Sequence, residues 1–154
     1  MKTSVKTTQV NETLVNELNQ FLADLQIHYQ NLRAFHWNVK GSMFFVLHGK
    51  FEEYYTDIAE VVDEVAERIL MIGGQPLHTF TDYLSNAGLR EIKGETDGLE
   101  MVKQVVGQSE SLLAQMFKIQ ADAVDRGDEG TNALFSGLIG DTEKKLWMLR
   151  TFLA

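Results

Sequence analysis

The chain has 154 residues, 44% of them apolar, and a formal net charge of −8 from 22 acidic and 14 basic side chains. It has no cysteine, which excludes disulfides, thiolate catalysis, iron–sulfur clusters and zinc ribbons and is compatible with a reducing compartment. The acidic balance disfavours general nucleic-acid binding, which relies on lysine and arginine neutralising phosphates, and favours the concentration of cations.

The first nine residues read as a flexible N-terminal tail, and residues 10–154 as one helical domain. Between about residues 10 and 39, Leu14, Leu18, Phe21, Leu22, Leu25, Tyr29, Leu32 and Phe35 recur with helical periodicity. Gly41 supplies a stop, and Ser42 is the expected cap of the next element. A second helix is expected from about 43 to 72, with Phe51, Tyr55, Ile58, Val62, Val65 and Ile69 as its buried stripe. Gly73 and Gly74 end it, and Pro76, the only proline, follows.

A long connection, about 73–94, then carries a short helix capped by Thr79, with Asp82 at a position that favours negative charge. A third long helix is expected over about 96–125, through Leu99, Val102, Val106, Leu112, Leu113, Met116, Phe117 and Ile119, and a fourth over about 131–152. Two short connections and one long one make an all-α, ferritin-like four-helix bundle with a crossover carrying a short helix. No apolar run reaches the ~18–20 residues of a membrane span. No secretory leader is visible in MKTSVKTTQVNETL, so a cytoplasmic location is expected.

His36, His48, Glu52, Asp63 and Glu67 are the candidate metal ligands. His48 and Glu52 are four apart, as are Asp63 and Glu67, so each pair shares a helix face. Singly, each is an ordinary core imidazole or solvated carboxylate; together they are a mixed N/O ligand set for a divalent metal. The two pairs are 15 residues apart, about 22 Å along one helix, too far for one ion. They nevertheless face the same side. An antiparallel second copy, related by a two-fold axis near Asp57, would bring one copy's His48 and Glu52 opposite the other's Asp63 and Glu67. The intra-bundle alternative needs Glu-x-x-His motifs. Leu25, Arg33, Phe45 and Gln75 stand three residues before the four histidines, so that site is absent.

The segments FHWNVKG, LHGKFEEYY and DEVAERI, at these separations, closely resemble the Dps family, the DNA-binding proteins from starved cells, which are miniferritins. The resemblance covers nearly the whole chain. It implies a hollow homo-oligomer, a dodecamer, with a ferroxidase centre at a two-fold subunit interface. It also implies that Fe(II) is oxidised to Fe(III) by hydrogen peroxide or oxygen, stored as mineral, and so kept from causing oxidative stress. Carried over by position, His36 and His48 come from one subunit and Asp63 and Glu67 from its partner. Glu52 stands where many relatives have Asp, and Trp37 beside the centre is implied as a radical trap. The acidic residues Asp122, Asp125, Asp128 and Glu129 correspond to a pore region through which iron enters. The rival reading is a DNA-binding, nucleoid-protecting protein with incidental metal binding. The first ten residues hold only Lys2 and Lys6, so direct DNA binding at neutral pH is not expected.

Overall fold

A computed structural model describes residues 11–154; the expected tail, residues 1–9, lies outside them. Five helices follow one another: α1 (Glu12–Asn38), α2 (Phe44–Met71), α3 (Phe80–Asn86), α4 (Gly98–Asp125) and α5 (Glu129–Leu153). The described residues contain no strand, only an isolated bridge between Lys40 and Asp97. None of the described helices is long and apolar enough to cross a membrane.

Local chemistry sets the helix ends. Asn11 caps α1 by accepting from the Leu14 amide, and Thr79 caps α3 through Asp82 as expected. Ser42 is not the cap of α2: Met43 holds that position without a side-chain bond. The turn at Gly41, with φ of 99°, instead lets the Gly41 carbonyl accept from the Phe44 amide, which removes one orphan donor. Asp97 caps α4, and Asp128 caps α5, which therefore starts at Glu129, two residues before the expected Thr131.

α1 packs along α2, α4 along α5, and α1 meets α4 and α3. Two apolar clusters fill the seams. One holds Leu18, Phe21, Leu22, Ile69, Met116 and Phe135; the other, towards the α1–α2 corner, holds Leu32, Phe35, Phe51, Met101 and Leu149. Leu99 and Phe117, expected inside, are 49% and 47% exposed, and Tyr55, Ile58 and Val62 are only half-buried. Periodicity marks an apolar face correctly there, but no described element of the chain covers it fully.

The crossover is held by α1. Asn19 donates to the Gln75 carbonyl and accepts from the Leu77 amide. Asn31 does the same with Arg90 and Ile92. Between them the buried Asp24 carboxylate accepts from the Gly88 and Leu89 amides at 2.7 and 2.8 Å and from Gln115 of α4 at 2.8 Å. A segment with few ladder bonds of its own thus finds its backbone partners on the helix beneath it.

α2 and α5 meet where Arg68 bonds to Asp128 and Thr131 but do not close on each other along the rest of their length. A cleft of about 400 Å³ separates them, floored by residues of α1 and α4 that include Leu25, His28, Ser109 and Leu112. Lys145 of α5 spans it to Asp57 of α2 at 3.0 Å and lies 5.4 Å from the Tyr54 ring. His28 is buried, and its Nδ1–H donates to Gln108 Oε1 at 2.7 Å. Burial pushes this imidazole down to about 4, against the opposing pull of the Gln108 bond and with help from the Lys145 charge.

Two outcomes are expected. Asp24→Ala would leave two backbone amides and one side-chain amide without their charged acceptor, costing about 3 kcal/mol or more in urea unfolding. For His28, the unfolded chain takes up a proton near 6.5 that the folded chain refuses until about 4. Stability should therefore fall as pH drops through that window, by up to about 3 kcal/mol, and the fall should flatten in His28→Gln. Urea unfolding at a series of pH values checks this; an identical profile for both proteins would contradict it.

Candidate metal centre

His36 lies in the last turn of α1 and His48 in the second turn of α2, across the Gly41 corner. Each ring bonds to the other residue's backbone. His36 Nδ1–H donates to the His48 carbonyl at 2.7 Å, and His48 Nδ1–H donates to the His36 carbonyl at 2.7 Å. The end of α1 makes this possible. The amide four residues after His36, that of Lys40, bonds to Thr96 instead, so the His36 carbonyl is a free helix-end acceptor. The imidazoles stack with centroids 3.8 Å apart and planes 12° from parallel. Phe44 lies against the outer face of His48 at 4.8 Å, and Tyr55 stands edge-on to His36 at 5.4 Å.

A carbonyl oxygen only accepts, so each Nδ1 must carry the hydrogen. Each neutral ring then keeps its lone pair on Nε2, the tautomer that a metal-ligating imidazole needs, with orientation set by the second bond. The structure thus brings together two of the five sequence-chosen residues and fixes both. Glu52 follows His48 by one turn with an exposed side chain. Asp63 and Glu67 are also exposed, farther along α2 and away from the imidazoles. Among the described residues of one chain, no group of three or more His, Cys, Asp or Glu is gathered closely enough to hold a metal ion.

Sequence reasoning missed the ring sandwich. Its signals were there: Phe44 is four residues before His48 and Tyr55 seven after it, on the same helical face. Trp37, next to His36 in sequence, is 55% exposed and pairs with Arg33, not with the imidazoles.

The acidic residues before α5 are unequal. Asp128 is spoken for: it accepts from Arg68 at 2.6 Å, from the Thr131 amide and from the Thr131 hydroxyl. Burial would raise this carboxyl, but the Thr131 bonds and then the Arg68 charge outweigh it and hold it below its ordinary value. The guanidinium lies where a Cβ on Gly130 would sit, so any larger residue at 130 would make Arg68 shift from this position. Glu17 is held above its ordinary value by burial and then by its neighbour Asp122, against the pull of Lys118. Asp125 and Glu129 are exposed.

An all-helical bundle of two helical hairpins, joined by a crossover with a short helix, is a ferritin-like architecture, and a family model described as a ferritin-like domain matches residues 15–154. The chain is 40% identical over 144 residues to "DNA protection during starvation protein 2" of Bacillus anthracis, covering 94% of this chain and 99% of that protein. It is 41% identical over 150 residues to the "DNA protection during starvation protein" of Porphyromonas gingivalis, covering 97% and 94%. Its fold matches that of a Dps protein from Vibrio cholerae O1 with a TM-score of 0.93 and 44% identity, over 96% of this chain and 92% of that one. That protein is described as a member of a broad superfamily of ferritin-like diiron-carboxylate proteins. The chain belongs to the Dps family.

The tautomer is directly measurable. Long-range nitrogen–proton NMR spectra of the metal-free protein above neutral pH should show Nδ1–H with unprotonated Nε2 for both His36 and His48. An Nε2–H form of either ring would contradict the reciprocal bonding.

Proposed function

We propose that the protein is a ferroxidase. It oxidises Fe(II) to Fe(III) with hydrogen peroxide, or with oxygen, at a centre shared by two subunits, and keeps the ferric product as mineral inside a hollow dodecamer in the cytoplasm. The observation that carries this reading is the stacked imidazole pair, each ring with its Nε2 lone pair unspent, with Asp63 and Glu67 of the same chain too far along α2 to join them. Asp63 and Glu67 of the partner subunit complete the set, and Glu52 adds a further oxygen, directly or through water.

The chemistry suits iron. Neutral imidazoles bind without adding charge, and carboxylates balance the higher charge of the oxidised ion. The pinned rings leave coordination positions open to the oxidant. Two Fe(II) ions, two protons and one peroxide give two Fe(III) ions and two waters, so no hydroxyl radical escapes. The exposed carboxylates Asp125 and Glu129 are the candidates for the iron path, since Asp128 is consumed by Arg68 and Thr131. Protection of DNA, which the relatives' names describe, then follows from removing iron and peroxide; a net charge of −8 per chain argues against direct contact with DNA at neutral pH.

Subunit mixing tests the shared centre. His36→Ala/His48→Ala chains and Asp63→Ala/Glu67→Ala chains should each assemble, because the apolar faces are untouched. Each alone should lose at least tenfold in peroxide-driven Fe(II) oxidation by stopped flow. Refolded together, they should recover part of the rate, since some interfaces then carry one intact centre. Assembled mixtures without recovery would refute a centre built from both chains.

A further inference from the structure

The cleft between α2 and α5, about 400 Å³, is within the size range of small-molecule sites. Leu25, Ile58, Leu112 and Leu138 give it an apolar wall, with the thioethers of Met116 and Met148 beside them. Thioethers are polarizable and pack well against the edges of aromatic rings. None of His36, His48, Glu52, Asp63 and Glu67 lines the cleft, so its occupant and the metal centre are separate.

Three buried side chains bring polar atoms to this apolar space. His28, Tyr54 and Ser109 line the cleft and are 3%, 5% and 7% exposed. His28 spends its Nδ1–H on Gln108, which leaves the Nε2 lone pair without a partner among the described residues. The Tyr54 and Ser109 hydroxyls have no partner among them either. Yet none of these three atoms is sealed from water. Among the described residues, the sealed side-chain atoms without a partner are Glu17 Oε2 and Gln104 Oε1. Each of the three must therefore open on the cleft that its residue lines. Burial keeps the His28 ring neutral down to about 4. Burial, followed by the charges of Glu53 and Asp57, keeps the Tyr54 phenol protonated up to about 12. Near neutral pH the cleft thus offers one fixed acceptor, Nε2, and two hydroxyls that can turn to donate.

The rim selects by charge. Glu53, Asp57, Glu60, Glu64 and Asp141 stand along the cleft against Lys144 and Lys145, an acidic balance that disfavours an anion. The apolar wall in turn disfavours a buried cation. We propose that the cleft binds a small neutral phenol, its ring against Leu25, Leu112 and Met116 and its hydroxyl donating to His28 Nε2. The hydroxyl oxygen can accept in turn from Tyr54 or Ser109. The Asp57–Lys145 pair spans the cleft at 3.0 Å and is half-exposed, so it parts at little cost to admit the ligand.

The probe is 4-butylphenol, titrated calorimetrically into the intact oligomer beside butylbenzene, 4-butylbenzoate and 4-butylbenzylamine. The phenol should bind saturably, one per chain, and at least tenfold more tightly than each of the other three, because only it pairs the Nε2 acceptor without burying a charge. No saturable binding of the phenol overturns the site. Equal binding of butylbenzene overturns recognition by His28, and tighter binding of the amine gives recognition to the rim carboxylates instead. Ser109 makes no hydrogen bond among the described residues, so Ser109→Met fills the cleft without breaking one and should weaken the phenol at least tenfold. An unchanged affinity in a folded Ser109→Met protein overturns the location. His36→Ala/His48→Ala should bind the phenol as the unaltered protein does; a tenfold loss there would place the probe at the imidazole corner and overturn the cleft. Crystals of the unaltered protein soaked in the phenol supply a readout that needs no variant. The ring should lie between α2 and α5 with its oxygen within hydrogen-bonding distance of His28 Nε2. A probe found only elsewhere, such as the groove between α1 and α3 beside Phe80 and Tyr83, overturns the proposal.

Discussion

The polar edge of α1 is the constraint on which the rest of the fold depends. A four-helix bundle with one crossover must carry a long connection from one end of α2 to the start of α4 without leaving its backbone groups dry and unpaired. Asn19, Asp24 and Asn31 meet that need at three levels, each bonding to the passing main chain, two of them as both donor and acceptor. Asp24 also grips Gln115, so the same carboxylate fixes the connection and the helix that follows it. A carboxyl group this deep is tolerated because it accepts three hydrogen bonds. With the crossover fixed, Thr96 is in place to take the Lys40 amide, and that capture leaves the His36 carbonyl free for His48. The corner that holds the two imidazoles is thus positioned partly by side chains far from it on the same helix.

The helices and their order were legible because each apolar stripe is long and regular. The ends were less so. Thr79 with Asp82 reads as a cap and is one, whereas Ser42 reads as a cap and is not, because the glycine turn before α2 satisfies the backbone first. Asp128 looked like one of several solvated acids, and only the fold brings Arg68, 60 residues away, against it. Leu99 and Phe117 were placed inside on periodicity, which identifies a face without identifying what covers it. Asp24 and Asn31 are buried polar residues that periodicity cannot distinguish from surface ones, since their partners are backbone groups distant in sequence.

For the metal centre, sequence spacing placed His48 with Glu52 and Asp63 with Glu67 on shared helix faces. The fold adds what spacing cannot express. Two rings 12 residues apart exchange bonds with each other's main chain, and this exchange dictates where their protons lie. It also places an aromatic side chain on either side of the pair, which no count of ligands would have asked for.

The cleft between α2 and α5 gives the bundle an asymmetry with mechanical meaning. Three of its four seams are packed, and the fourth is tied at one end by Arg68 to Asp128 and Thr131 and spanned elsewhere by the Asp57–Lys145 ion pair over a partly hollow interior. The two hairpins are therefore like the covers of a book whose spine is the α1–α4 seam. The softest collective motion should be an opening of the covers about the Arg68 bridge at one end, resisted elsewhere by the half-exposed Asp57–Lys145 pair, which weakens as salt rises. Because α2 carries His48, Glu52, Asp63 and Glu67 on the moving cover, any second chain laid across it would act as a clasp, coupling subunit association to the stiffness of the fold.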